Sequence, residues 1–324
     1  MKAPHYQTLL SFLLLWSSLF CETAMSAVTR PSAKFFLELD GKPVAILSSF
    51  SGGPMIGEVN SLDSGFSCCF PPKFLIAIHP DELVMEVPGL HGSDLVEWIQ
   101  KNLQGDLTEH NGSIVLVDQN FRVIQRINFL HGLISEISFP ALRATARIQP
   151  PLKLKIMPEQ AQVVTGNDEI YRTILKNYQS SSFRLDIAGI DTSRVSAIDA
   201  ITIKRTFMAG DTGEQRPSTG MIPTGNFEIS PLSFTIAGAN ARDLEKWHED
   251  FVVNGNNSDD RELEGTITLL ANNVKVPPIT LSLHHLGIYR LLYSSSTTST
   301  GADEISVRAM TYIEGVSLPV EDTK

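Results

Sequence analysis

A chain of 324 residues with 42% hydrophobic and 19% charged residues has ordinary globular composition and room for about two domains of ~150 residues. Its formal charge of −10 excludes a surface built to hold nucleic-acid phosphates, which needs clustered Lys and Arg. Three cysteines, Cys21 and the adjacent Cys68 and Cys69, exclude a disulfide framework, and no CxxC or nearby His pair makes a metal site of them.

The N-terminal segment has two readings. An apolar run over residues 9–20 follows Lys2 and precedes small residues around Ala24 and Ala27, the layout of a secretory signal peptide. It is too short for a membrane span, which needs ~20 apolar residues, so no stable membrane insertion is expected. Alternatively Met25 is the true start. Residues 1–27 are therefore a signal peptide or a misassigned start.

Beyond that segment the chain repeats itself. Phe35-Phe36-Leu37-Glu38-Leu39-Asp40-Gly41 recurs as Phe183-Arg184-Leu185-Asp186-Ile187-Ala188-Gly189, and Asp94-Leu95-Val96-Glu97-Trp98 as Asp243-Leu244-Glu245-Lys246-Trp247. The first Phe stands 63 residues before the Trp in one copy and 64 in the other. One fold written twice predicts domains over residues 28–158 and 183–318, a linker over 159–182 with a short helix near 171–178, and a tail over 319–324.

Each copy opens on a strand of period two, with Phe35, Leu37 and Leu39 on one face and Phe183, Leu185 and Ile187 on the corresponding one. Gly41 and Gly189 permit the turn that ends it. A second strand is predicted over 43–47 and over 200–205. Long stretches rich in Gly and Pro follow, over 51–73 and 207–225. Structureless stretches of this length in a compact domain are usually functional, so Gly52, Gly53 and Phe66 in the first and Arg216 and Met221 in the second are candidate inter-subunit contacts. A strand then returns over 73–78 in one copy and over 226–231 and 233–236 in the other.

One helix per copy comes next. Asp94 reads as its N-cap with Glu97 three residues on, and Asp243 occupies the same place in copy two. Leu95, Trp98 and Ile99, and Leu244, Trp247, His248 and Phe251, fall on apolar stripes, with Gly105 and Gly255 at the C-terminal glycine position. Trp98 and Trp247 read as core anchors. Gly112-Ser113-Ile114-Val115-Leu116 and Gly265-Thr266-Ile267-Thr268-Leu269 open further strands, and Leu130-His131-Gly132-Leu133 matches Leu283-His284-His285-Leu286. The last strands are predicted over 152–156, with Lys153 and Lys155 outward, and over 305–312, after a Ser/Thr-rich loop at 294–301. The repeat anchors are thus Phe35, Gly41, Trp98, Gly112 and His131, matched by Phe183, Gly189, Trp247, Gly265 and His284. The fold class is mainly β: two tandem small β-barrel or β-sandwich domains, each flanked by one α-helix.

Catalytic chemistry has no motif to stand on. Neighbouring His284 and His285 point to opposite faces of a regular strand, and the acidic run 259–264 lacks calcium-loop spacing. No nucleophile elbow, P-loop or dinucleotide fingerprint follows a strand. The expectation is a protein that is not an enzyme and has no cofactor and no metal.

Three stretches resemble the phage tail tube protein family, the myophage-like group related in fold to the type VI secretion tube protein. They are residues 35–41 with Ser48-Ser49-Phe50-Ser51-Gly52-Gly53, the helix over 94–103, and residues 127–142, which end on Phe139-Pro140-Ala141-Leu142. The resemblance implies a ring of six β-barrels joined edge to edge around a lumen, with rings stacked into a hollow tube and sheath and baseplate-type proteins as partners. With two copies per chain it implies a trimer, six domains from three chains. The particle would assemble in the cytoplasm if translation starts at Met25. A true signal peptide would make the chain secreted, and a second expectation follows from it: a secreted monomeric β-rich binding protein using the same fold.

Overall fold

The computed structural model describes residues 33–61, 71–90, 93–166, 169–172, 180–209, 221–223, 225–271, 279–297 and 303–318. Cys21, Cys68, Cys69, Phe66 and Arg216 lie outside these residues, as does the whole N-terminal segment.

The alternation read from the sequence becomes two antiparallel barrels. In copy one, Lys34–Leu39 turns into Lys42–Leu47 through Asp40 and Gly41, both at positive φ (49° and 79°). A two-residue turn of this kind matches the right-handed twist of the strands it joins. The sheet order runs Lys42–Leu47, Lys34–Leu39, His110–Val117, Val123–Phe139, Leu152–Met157, Leu83–Val87, Ser49–Ser51. Its two end strands are separated in sequence by Ser48 alone, whose N–H donates to Glu86 O at 2.9 Å. The segment 42–51 therefore pairs with both ends of the path and closes the sheet, which removes the exposed edges of an open one.

Copy two repeats this arrangement in the order Ser180–Ile187, Leu263–Ala271, Ile279–Thr297, Asp303–Ser317, Leu232–Ala237, Val195–Ile198. Closure there is sparser: a single bridge, Ile187 to Ile190, and the Thr192 hydroxyl donating to Leu185 O at 2.5 Å. Even irregularities recur. The Val123–Phe139 strand slips register between Ile134 and Glu136, and Ile279–Thr297 slips between Ile288 and Arg290. Bulges bend a strand and re-aim its edge, so both long strands bend at equivalent points.

The helix α1 (Ser93–Leu103) caps barrel one, with Leu95, Trp98, Ile99 and Asn102 buried. α2 (Arg242–His248) does the same in copy two and runs on as a π-turn, Glu249–Val253, which buries Phe251. Asp94 lies in the first turn of α1, inside the helix rather than at its cap, and pairs with Lys42 at 3.5 Å. Asp243 likewise sits inside α2, whose N-cap is Ala241 with no side-chain bond. Both carboxylates lie in the first turn, where the helix dipole favours a negative charge. Gly105 ends α1 at φ 90°: its N–H reaches Asn102 O and that of Asp106 reaches Lys101 O, the paired bonds of a Schellman motif.

The first strand is buried on both faces, which its sequence pattern conceals. Leu37 and Leu39 face the barrel interior. Phe36 on the outer face is covered by Tyr171, at a ring separation of 4.8 Å, within a small cluster that includes Val115, Val117 and Val123. Glu38 shares that face and accepts from Ser113 Oγ at 2.6 Å and from Arg126 Nη1 at 2.5 Å. A buried carboxylate left without its cation is costly. Arg126→Ala is therefore expected to destabilise the protein by about 3 kcal/mol, read as a shift in urea midpoint at unchanged slope.

Several expectations need correction. Residues 160–165, read as linker, form the strand Gln160–Thr165, which pairs with the first half of Val123–Phe139. Tyr171 and Arg172 are not helical. Residues 51–73 and 207–225 are not irregular throughout: Met55–Ser61 pairs with Lys73–Pro80, and Phe207–Ala209 with Met221–Pro223, as two-stranded arms. The strand that returns to barrel one is Leu83–Val87, not residues 73–78. Ser294 to Thr297, read as the start of a loop, belongs to the strand Ile279–Thr297. Among the described residues no helix is long and apolar enough to cross a membrane.

Candidate functional site

The most consequential contact in the chain is the seam between its barrels. The strand Ile201–Lys204, expected to pair within its own copy, adds instead to the second half of Val123–Phe139. Its register is Ile201 to Phe139, Thr202 to Ser138, Ile203 to Ile137 and Lys204 to Glu136. Arg205 N–H extends the ladder to Ser135 O at 2.9 Å. In return the short strand Leu142–Arg143 of copy one pairs with Val195–Ile198 of copy two. Each barrel thus lends a strand to the other.

Apolar burial and polar pairing both hold this seam. Phe139, Leu142, Ile198, Ile201 and Ile203 are buried in one continuous core shared by both copies. Full burial of each such side chain contributes about 1.5–3 kcal/mol. Arg143 Nη2 lies 3.5 Å from Asp199 Oδ1, and Arg308 donates to Asp199 Oδ2 from the other side. Gln149 clamps Arg143 by accepting from its N–H at 3.1 Å and donating to its carbonyl at 3.0 Å. Ser138 and Thr202 share a hydroxyl bond of 3.0 Å across the ladder.

The repeat gives every seam residue a counterpart. Ile203 pairs with Ile229 and Lys204 with Glu228; in copy one Met55 pairs with Pro80 and Ile56 with His79. Met55 and Ile56 are therefore the equivalents of Ile203 and Lys204. Leu154 pairs with Ile137 and Ala309 with Leu291, so Leu291 is the equivalent of Ile137. Whereas Ile203 and Ile137 meet inside the chain, Met55 and Leu291 have no such partner among the described residues. Among the described residues Met55–Ser61 pairs with Lys73–Pro80 alone, and residues 290–297 pair only with Asp303–Ser317.

The arm's surface is apolar, and residues 289–297 mix apolar and polar side chains. On the arm, Met55, Ile56, Val59, Phe74, Leu75, Ile76 and Ile78 are all more than 40% exposed. On the edge of Ile279–Thr297, Tyr289 is 40% and Tyr293 60% exposed. An isolated two-stranded hairpin is marginally stable in water, and contiguous exposed apolar surface marks an interaction site. Gly52 releases the chain from barrel one into this arm. Its φ is 124°, and a Cβ there would lie 2.5 Å from Glu82 O, so only glycine fits. Gly53 follows with its N–H bonded to Asp81 Oδ2 at 2.7 Å. Met221 lies on the equivalent arm of copy two, paired through its backbone with Ala209.

The anchors Phe35, Gly41, Gly112, Phe183, Gly189 and Gly265 occupy matching places in the two barrels. Asp40 N–H donates to Asn111 O and Ala188 N–H to Glu264 O, next to Gly112 and Gly265. The histidines match differently from expectation. His131 and His285 are the equivalent pair, both at positive φ (50° and 56°), with N–H groups donating to Asn111 Oδ1 and Glu264 Oε1. His284 is one residue out of step because copy two has ten residue steps from Leu269 to its partner Ile279 where copy one has nine from Leu116 to Gln125. His131 Nδ1 lies 2.8 Å from Glu109, His285 Nδ1 3.0 Å from Glu262, and His284 Nδ1 2.7 Å from Glu264.

Glu262, His285 and Glu314 bring ligand-type atoms within 4.8 Å of one another, a grouping no sequence spacing signals. Both Glu262 oxygens are already engaged, one by His285 and the other by the Tyr312 hydroxyl at 2.6 Å. Burial, then that bond to Glu262, pushes the Tyr312 phenol well above its ordinary range. Near the seam, a cleft of about 420 Å³ lies between the end of α1, Arg205, Phe227 and Glu314. The Arg205 guanidinium stacks over the Phe227 ring at 3.8 Å. Among the described residues no nucleophile and base meet in that cleft. No protein-family model matches the chain, and no curated protein matches it.

Proposed function

We propose that this chain is a structural subunit that assembles with copies of itself into closed rings, three chains and six barrels to a ring, and that the rings stack into a hollow phage-tail-like tube. The observation that carries the reading is the seam. It joins unlike surfaces, a strand donated by one barrel and an edge offered by the next, and among the described residues the equivalents of both surfaces, Met55–Ser61 and residues 290–297, lack a partner of that kind. A heterologous contact of this kind propagates until it closes into a ring or runs on as a filament. The net charge of −10 supports the reading, since it keeps unassembled subunits apart. The tube, and partners of sheath and baseplate type, rest on the resemblance of residues 35–41 with 48–53, 94–103 and 127–142 to tail tube proteins. Negative-stain microscopy of the concentrated full chain tests this: six-lobed rings or tubes of stacked rings are expected, and fields of single two-lobed particles would refute it.

A further inference from the structure

We infer that successive chains join by strand addition in a fixed register. The arm residues Met55 and Ile56 of one chain pair with Leu291 and Arg290 of the next, antiparallel, and the chain's internal seam is the template. The inference rests on the ring reading and specifies its contact.

The register follows from the repeat. Ile203 faces Ile137 and Lys204 faces Glu136 within the chain; their equivalents are Met55 facing Leu291 and Ile56 facing Arg290. The same bulge precedes both edges, at Ser135 and at Tyr289, so both bend to meet an incoming strand in the same way.

Hydrogen-bond parity agrees from Met55 onward, while Gly53, whose N–H is bonded to Asp81 Oδ2, makes no such bond to the edge. Arg205 N–H points into the seam toward Ser135 O, while Thr202 N–H points away from it, to Ser230 Oγ at 2.8 Å. Alternate residues of a strand share one edge. Hence Met55, like Ile203, exchanges bonds with the edge, and Gly57 N–H replaces that of Arg205, opposite Tyr289 O. Pro54 takes the place of Thr202, whose N–H the seam does not use. A proline is tolerated in a strand only where its missing N–H faces away from the ladder, and this one stands at such a position. The reciprocal pairing has its counterpart too. Val195–Ile198 accepts Leu142–Arg143 inside the chain, whereas Ser49–Ser51 pairs only with Leu83–Val87 among the described residues. The equivalents that would meet are Ser49 and Phe50 with Thr297 and Ser296.

The occupant is a second copy of this chain because the two vacancies complement each other as the two sides of the seam do. In this register Met55 meets Leu291, and Ile56 lies opposite Arg290, which is the only charge among residues 289–297. Backbone bonding supplies affinity in such strand addition, while alternate side chains select the register.

The test is disulfide trapping between two full-length chains in which Cys21, Cys68 and Cys69 are replaced by Ser. One carries Ile56→Cys, the other Arg290→Cys. The pair is a non-hydrogen-bonded one, with Cα atoms about 4.5 Å apart, inside the range a disulfide spans. Mixed and oxidised, the two variants should give a covalent heterodimer, formed at least about ten-fold more than with Leu292→Cys as the partner, which lies two residues out of register. Rings that form without this cross-link, or that cross-link equally well out of register, would overturn the inference while leaving self-assembly standing. A chain that stays monomeric by sedimentation would overturn both.

Discussion

Trp98→Ala is expected to destabilise the protein by about 3–5 kcal/mol, a large part of the 5–15 kcal/mol that holds an ordinary domain together. Trp98 is 1% exposed on the inner face of α1, its indole N–H donates to Thr108 O at 2.8 Å, and its ring meets His110 edge-on at 5.0 Å. Substitution removes the packing that seats the helix on barrel one and leaves a cavity. Its repeat partner behaves differently. Trp247 is buried, yet among the described residues its Nε1 has no hydrogen-bond partner. Trp98→Phe loses a bond as well as volume, whereas Trp247→Phe loses volume but also removes an unsatisfied donor, whose burial costs about 1–3 kcal/mol. Paired urea titrations should therefore show Trp98→Phe clearly destabilised and Trp247→Phe close to the parent. Equal losses at the two sites would contradict this account of the helices.

The second large effect concerns assembly. Leu291→Pro is expected to abolish ring formation while leaving the fold intact. By its equivalence to Ile137, the Leu291 N–H points to the free edge and not into the pairing with Ala309. Proline there removes an intermolecular donor without breaking the barrel's own ladder. Met55→Lys should act from the other side by placing a charge on the arm at the centre of the contact, the device by which edge strands are kept apart. Each variant should elute as a single chain with an unchanged far-UV spectrum and a melting temperature near that of dissociated parent. Unfolding of Leu291→Pro would show that its N–H serves the barrel itself, and Met55→Lys then decides the assembly question alone.

Much of the scaffold was legible because it is local. The turn at Gly41 and Gly189, the apolar stripes around Trp98 and Trp247, and the strands that begin near Gly112 and Gly265 each follow from a few neighbouring residues. Periodicity shows which faces of a strand are buried. It does not say which strand lies along an edge, and a seam is made of edges. Ile201–Lys204 alternates like any half-buried strand, and nothing in it announces that its partner is Glu136–Phe139 of the other copy, more than sixty residues away. Pattern does not single out Leu83–Val87, because the apolar residues 74–78 just before it offer an equally good strand, and the choice between arm and barrel depends on Gly52 and on pairing with Leu152–Met157. The histidine match slipped by one because a single added residue shifts every side chain after it to the next position. Of the five residues expected to make contacts between subunits, Gly52 and Gly53 lead into the exposed arm and Met221 lies on the equivalent arm. Phe66 and Arg216 lie outside the described residues.

Sedimentation velocity of the full chain across a wide concentration range tests the central claim most directly. The account predicts a species of three chains, appearing together with larger stacks as concentration rises and lost in Leu291→Pro and Met55→Lys. A single species of 35.6 kDa at every concentration, unchanged by either substitution, would contradict it.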